Sequence, residues 1–400
     1  MKRNRFKVLS LAVVLVMVLG LLAACGGNEQ GGSGGGGADV VNEVTIGMLA
    51  PLTGGGAHFG NSVHQGAMLY IDAYNARGGL QINVIVRDEE GREDLAVTMY
   101  QALVDLGVTA ILGSVTSGPT RAVVPIAFED GMPMITATAT HAGVTVNQDT
   151  GAVFTNMFRS CFIDPFQGVK MAEFSYEILG ARTAAILYSH EIDYSIGLMQ
   201  AFVARAAEIG LEIVQVERFV ADAVDFTAQL TNIAAVNPDV LFIPGYYWHT
   251  SLIGPQSVAA GLNDTILVGA DGWAGTLEAI ADPSSVEGAF YMTGFTDESD
   301  YPHVVDFIAR FYEKYGIMPN MFAAQAYDAA AILIRALEGA LADGNEPGSD
   351  EFKADVIRHM AATNLVGVTG RITFDEFNNP QKTAFIIQIQ DGEARFWGTF

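Results

Sequence analysis

From Val44 onward, short apolar runs alternate with longer segments in which apolar residues recur every three or four positions. The clearest runs are Val44–Leu49, Ile82–Arg87, Ala110–Gly113, Pro133–Thr136, Ala184–Tyr188, Glu212–Val216, Val240–Ile243 and Ile266–Gly269. The helical spacing lies between them, at Asn61–Ala76, Leu95–Leu106, Phe166–Leu179, Leu198–Ile209 and Phe226–Val236. Continuous apolar strands that alternate with amphipathic helices predict parallel sheets covered on both faces. Two such series are expected, one from Val44 to about Phe158 and one from about Arg159 to Gly294, without a close internal repeat. Helices are then expected over Val304–Tyr315, Phe322–Leu341 and, after a break at Asp343–Gly348, Phe352–Ala362. A hairpin-like end, Arg371–Phe374 with Ala384–Gln390, closes the chain. This is more than one lobe needs. The pattern predicts an α/β protein with two doubly wound parallel-sheet lobes, residues 43–158 plus 295–370 and residues 159–294 plus 371–400. Chain crossings near Phe158, Gly294 and Gly370 would join them.

The first 42 residues follow another logic. Lys2, Arg3, Arg5 and Lys7 precede one apolar run, Val8–Leu22, and the run ends in Leu22-Ala23-Ala24-Cys25. A basic start, an apolar middle and small residues before a cleavage point make an export signal. The run is shorter than the roughly 20 residues that cross a bilayer. Leu-Ala-Ala-Cys resembles the lipobox of bacterial lipoproteins, which implies a signal peptide at 1–24 and lipidation of Cys25. Residues 25–42, a Gly-rich stretch that includes Ser33, would be the flexible tether between anchor and body. The expected location is extracytoplasmic, held to the cell membrane by lipid.

Composition narrows the function. The chain is 50% apolar and long enough for two cores. Its formal charge is −24, and loss of the basic start would make it more negative; such a surface repels nucleic acid and anionic lipid, which disfavours both as partners. With Cys25 lipidated, Cys161 has no partner for an intrachain disulfide. A monomer is expected.

In open α/β sheets, ligands bind beyond the carboxyl ends of the strands. The first series places there Pro51 to Gly60, including Phe59, then Ser114 to Thr120 opening a helix, then Thr136 to Thr140. The second series places Asp193-Tyr194, Gly245 to Trp248 and Ala270 to Trp273. One lobe thus offers hydroxyls and backbone N–H groups, the other aromatic rings and an acid. Ser117 to Thr120, at a helix start, suit an anion or serve only as caps. Asp271 suits a cation or is a turn residue. Together they suit a zwitterion with an apolar side chain.

The chain resembles the Leu/Ile/Val-binding group of substrate-binding proteins from ABC-type amino-acid importers, from about Val44 to Phe400. The resemblance rests on Ile71-Asp72-Ala73-Tyr74-Asn75-Ala76-Arg77-Gly78-Gly79-Leu80, on Glu129-Asp130-Gly131-Met132-Pro133, and on Arg159 through Asp164 to Gln167-Gly168. It implies the class I periplasmic-binding-protein fold, with the carboxylate of an amino acid held at Ser117. The Thr138 carbonyl and the Thr140 hydroxyl and backbone would surround carboxylate and ammonium. Asp271 would take the ammonium, and Phe59, Tyr194, Tyr246 and Phe322 would wall the side chain. The family's better-known members carry Glu at the Asp271 position, one methylene longer. Trp273 either narrows this pocket or packs against a neighbouring loop. The implied partner is an ABC permease in the cytoplasmic membrane.

No other chemistry competes. Gly113-Ser114-Val115-Thr116-Ser117-Gly118 is not a G-x-S-x-G elbow, and Gly54–Gly60 lacks the Lys-Ser/Thr of a P-loop. The seven histidines are scattered without metal-ligand spacing, so no enzyme, metal or cofactor is expected. A sensory protein, or a binder of amides or urea, would use the same fold.

Overall fold

The computed structural model of the protein describes residues 43–400; the expected signal peptide, Cys25 and tether lie outside the described residues. The first sheet contains β1 (Glu43–Ala50), β2 (Gln81–Asp88), β3 (Ile111–Leu112), β4 (Met134–Thr136) and β5 (Met157–Arg159). All five are parallel, in the order β2-β1-β3-β4-β5. Their crossovers are the helices α1 (Ala57–Asn75), α2 (Glu93–Asp105) and α3 (Ser117–Glu129). Side chains on β1 alternate as a pleated strand requires. Val44, Ile46, Met48 and Ala50 enter the core that includes Val63 and Ala67 of α1. Leu49 turns to the opposite core, with Tyr100 and Leu103 of α2 and Val123 of α3.

The chain then leaves this sheet through α4 (Asp164–Glu173) and builds a second one. Its elements are β6 (Thr183–Ser189), α5 (Asp193–Ile209), β7 (Glu212–Phe219), α6 (Thr227–Val236), β8 (Val240–Phe242), α7 (Tyr247–Ala259), β9 (Ile266–Gly269), the single turn α8 (Thr276–Ala279) and β10 (Phe290–Thr293). It returns to the first sheet's helical layer as α9 (Pro302–Tyr315), α10 (Met321–Ala342) and α11 (Asp350–Ala361). The Tyr315 hydroxyl donates to the Gln65 carbonyl, and the Tyr74 hydroxyl donates to Glu338, tying this return to α1.

The end of the chain differs from the expected hairpin. β11 (Leu365–Gly367) pairs with β12 (Gly370–Ile372) in a small ribbon of its own. β13 (Phe385–Gln390) pairs instead with β14 (Glu393–Thr399), and both join the second sheet, whose order is β14-β13-β10-β9-β8-β6-β7. The physical reason is the turn Asp391-Gly392, both residues at positive φ (54° and 73°), which closes a tight hairpin between β13 and β14. The strands at Met157–Arg159 and Phe290–Thr293, also absent from the sequence reading, are three and four residues long. Such lengths are too short for a periodicity to register.

In each sheet the strand order reverses once. β1 lies between β2 and β3, and β6 lies between β7 and β8. The loops after β1 and β3, and those after β6 and β8, therefore diverge at a crevice, where ligand sites form in this class of sheet.

Candidate functional site

The loops at these two crevices face each other. Phe59, Val115, Thr116, Ser117, Thr138, Thr140 and Phe322 line one side of a shared space, and Tyr194, Tyr246, Asp271 and Gly272 line the other. The space they enclose is about 10 Å³, roughly one water's worth. Around its mouth, sharing Thr116 and Tyr246, opens a vestibule of about 290 Å³ rimmed by Glu90, Glu93 and Glu191 and walled by Trp248.

The first-sheet side is made of hydroxyls tied to backbone. Thr136 Oγ1 donates to the Ser114 carbonyl at 2.6 Å and Thr138 Oγ1 to the Val115 carbonyl at 2.7 Å. With that proton committed, the Thr138 oxygen can only accept from anything that enters the site. Ser117 is the reverse case. Its Oγ accepts from the His141 N–H at 3.2 Å, which leaves its own proton to donate. Ser117 is also the first residue of α3, a helix with no acid in its first turn and no side-chain cap. Its N–H lies against the Tyr246 hydroxyl of the opposite side. One end of this wall is thus a donor backed by a helix N-terminus, and the other is an acceptor.

The second-sheet side is held by side chains. Asp271 Oδ1 accepts from the Tyr194 hydroxyl at 2.7 Å and from Gln167 Nε2 at 3.0 Å, while the Asp271 N–H donates to Gln167 Oε1 at 3.0 Å. The Tyr194 oxygen in turn accepts from the Gly272 N–H at 2.8 Å. Burial pushes the Asp271 carboxyl up to about 6, against the opposing pull of the Tyr194 and Gln167 hydrogen bonds. The Tyr194 hydroxyl is raised well above its ordinary range, first by burial and then by the Asp271 charge.

Rings close the remaining sides. Tyr194 and Tyr246 stack at 4.6 Å between centroids and 10° between planes; Phe59 and Phe322 stack at 4.1 Å and 28°. Phe59 meets Tyr246 edge-on at 5.8 Å, so the two stacks touch across the crevice. Farther out, the Tyr247 hydroxyl donates to the Gly55 carbonyl at 2.5 Å, and Arg121 pairs with Asp193. Among the described residues no group of three or more His, Cys, Asp or Glu is arranged to hold a metal ion.

Eight of the nine expected ligand-contact residues converge here. Trp273 does not. Its indole is 1% exposed and turned into the second sheet's core, with Nε1 donating to the Ile243 carbonyl at 2.9 Å. Gly269 makes the room, since a Cβ there would come within 2.1 Å of Trp273 Nε1. Packing, rather than ligand contact, is what this tryptophan does. Sequence reasoning in turn missed Gln167 as a site residue. The available signal was its place three residues after Asp164 at a helix start, which puts both on one face.

Fold and crevice together define a binding protein built on two sheets with a shared crevice between their loops. The chain belongs to the periplasmic binding protein family, which it matches over residues 43–394. A leucine-binding protein LivK from Thermotoga maritima is 30% identical, with a TM-score of 0.81 over 89% of this chain and 98% of that one. The branched-chain amino acid transporter substrate-binding protein LivJ from Streptococcus pneumoniae, solved with isoleucine, is 28% identical, with a TM-score of 0.79 over 89% and 99%. Among curated relatives, the Leu/Ile/Val-binding protein homolog 3 of Brucella melitensis is 26% identical over 356 residues, 88% of this chain and 92% of the relative. The fold is that of the type I periplasmic binding proteins.

Proposed function

We propose that the two sheets are the lobes of a trap for an amino acid with an apolar side chain, and that the protein hands this cargo to an ABC permease. The observation that carries the reading is the opposed polarity of the crevice. Ser117 can donate at a helix N-terminus, Thr138 and Asp271 can only accept, and aromatic rings stand between. A carboxylate belongs at the first pole and an ammonium at the second. The Thr140 hydroxyl, 1% exposed and lining the same space, completes the first wall. Named relatives that bind leucine, isoleucine or valine support the same class of cargo.

The enclosed 10 Å³ cannot admit an amino acid. Entry therefore requires the lobes to part, at the connections after β5, after β10 and before β13. Cargo first meets the Ser117–Thr138–Thr140 wall, and Tyr194, Tyr246 and Asp271 then swing over it. A ligand that touches both lobes only when they are shut favours the shut form by that difference in contact. The role is capture and release, with no chemical step. Lipidation at Cys25 and a tether over 25–42 would keep a monomer beside its permease, outside the cytoplasmic membrane.

The test is a thermal-shift screen of the twenty amino acids together with urea, simple amides and polyamines. A ligand selective for the folded form stabilises it by about 2.7 kcal/mol at a hundredfold excess over its dissociation constant. The largest shift is expected with leucine, isoleucine, valine or phenylalanine. A response confined to urea, amides or dicarboxylates would refute the reading.

A further inference from the structure

A second cavity, of about 540 Å³, lies between the connection after β10 and the one before β13. Its volume falls within the roughly 300–1,000 Å³ of small-molecule sites. It shares no lining residue with the crevice or the vestibule, and the capture scheme does not use it. Gly294 and Phe385 line it from the second sheet, while the start of α9 and the β11–β12 ribbon line it from the first sheet's helical layer.

The ribbon side is held firmly. Asp328 of α10, 1% exposed, accepts from the Val368 and Thr369 N–H groups at 2.8 and 2.9 Å and from the Thr369 hydroxyl at 2.5 Å. Gly367 makes this approach possible, since a Cβ there would stand 2.4 Å from the Asp328 carboxyl carbon. His303 of α9 donates from Nε2 to the Gly367 carbonyl at 3.2 Å. Lys382, three residues before β13, donates to the Thr369 carbonyl at 3.3 Å and to its hydroxyl. Ammonium, hydroxyl and carboxylate thus form a chain in which each donor has its acceptor. The space is framed by groups already in place, as a pre-formed ligand site requires.

Charge selects what fits. The chain has 45 acidic residues against 21 basic ones, and glutamates rim the vestibule, yet no acid lines this cavity. In the loop after β10, Asp297, Glu298 and Asp300 are exposed, while Thr296 and Ser299, half-buried, line the space. The lining guanidinium is that of Arg371 in β12. Its Nη1 donates to the neutral Asn364 Oδ1 at 2.5 Å, which leaves Nε and Nη2 of the fork to take a carboxylate. Phe295, Val304, Val366 and Phe385 supply an apolar wall. We propose that this cavity is a second binding site, for a monocarboxylate with an apolar tail, and that its occupant strengthens amino-acid capture. The cavity has this shape with the lobes shut, and its walls come from both sides of the lobe boundary. A molecule fitted to it therefore favours the shut form, as captured cargo does. Two ligands that favour one form tighten each other's binding by the same factor. The coupling rests on the capture reading above; the site itself does not.

Octanoate titrated by calorimetry into the full chain saturated with leucine tests this, because the crevice is then filled. One octanoate per protein is expected, bound about fivefold tighter than to the leucine-free protein, with leucine tightened by the same factor in saturating octanoate. Arg371→Gln, at an exposed residue, should weaken octanoate about tenfold or more and leave leucine binding without octanoate unchanged. Val366→Trp, at a residue 54% exposed, should fill the space and abolish octanoate binding. Absence of octanoate binding to the leucine-saturated protein, or binding that both variants leave intact, would overturn the site. Equal octanoate affinity with and without leucine would overturn the coupling, and the proposal with it. Should leucine itself not bind, the amino-acid reading falls, while octanoate binding to the wild type and its loss in the two variants still decide the second site.

Discussion

The two walls of the crevice are built in opposite ways. On the first-sheet side Thr138, Thr136 and Ser117 are fixed by backbone 22 to 24 residues away in the same sheet's loops: Thr138 to Val115, Thr136 to Ser114, His141 N–H to Ser117. On the second-sheet side the central acid is fixed by side chains far along the chain, with Gln167 104 residues away and Tyr194 77. A wall braced by its own backbone keeps its shape whether or not the opposite lobe is near. A wall braced by a cross-linked set of side chains depends on all of its members, because a partly satisfied buried network loses more than one bond's worth of energy. The first wall is therefore the landing surface and the second the clamp, and substitutions should cost more on the clamp.

Asp271→Asn should produce the largest loss. It removes the ammonium's charged partner inside a buried site, which typically costs about 2–5 kcal/mol of binding, read by calorimetry. Gln167→Leu touches no ligand in this account, yet it strips Asp271 of a donor and an acceptor. A loss of about 1–3 kcal/mol in affinity is expected, with the thermal midpoint of the protein lowered as well. Should Gln167→Leu bind normally, the clamp is not a cross-braced unit. On the landing wall, Ser117→Ala should cost about 1–2 kcal/mol, because the N-terminus of α3 still faces the carboxylate. A loss larger than that of Asp271→Asn would invert the comparison. Smallest of all is the rim. The Arg121–Asp193 pair is about a third exposed on both sides, so Arg121→Ala should change affinity by less than about 1 kcal/mol, and only at low salt.

The same contrast explains what could be read without coordinates. Strands such as β1 and helices such as α10 announce themselves, because a local period suffices. Ser117, Thr138 and Thr140 were legible too, since they follow buried strands and open a helix or a turn. On the clamp, Asp271, Tyr194 and Tyr246 also sit in loops after strands, and those positions gave them away. Gln167 did not stand out, because its role depends on a partner 104 residues distant. Trp273 misled for the opposite reason. It is two residues from Asp271, but the short turn Asp271–Trp273 sends it to the far face, onto a strand that Gly269 leaves bare. The Asp391-Gly392 turn carried a readable signal that would have paired β13 with β14 correctly.

Closure over an amino acid is the central claim, and small-angle X-ray scattering tests it most directly. The measurement compares the protein alone with the protein saturated by the amino acid that stabilises it most. The structure described here, with about 10 Å³ between its walls, cannot load without opening. The account therefore predicts a radius of gyration that is larger for the protein alone and falls on saturation toward the compact form. An amino acid that binds tightly while the radius of gyration stays constant would contradict it.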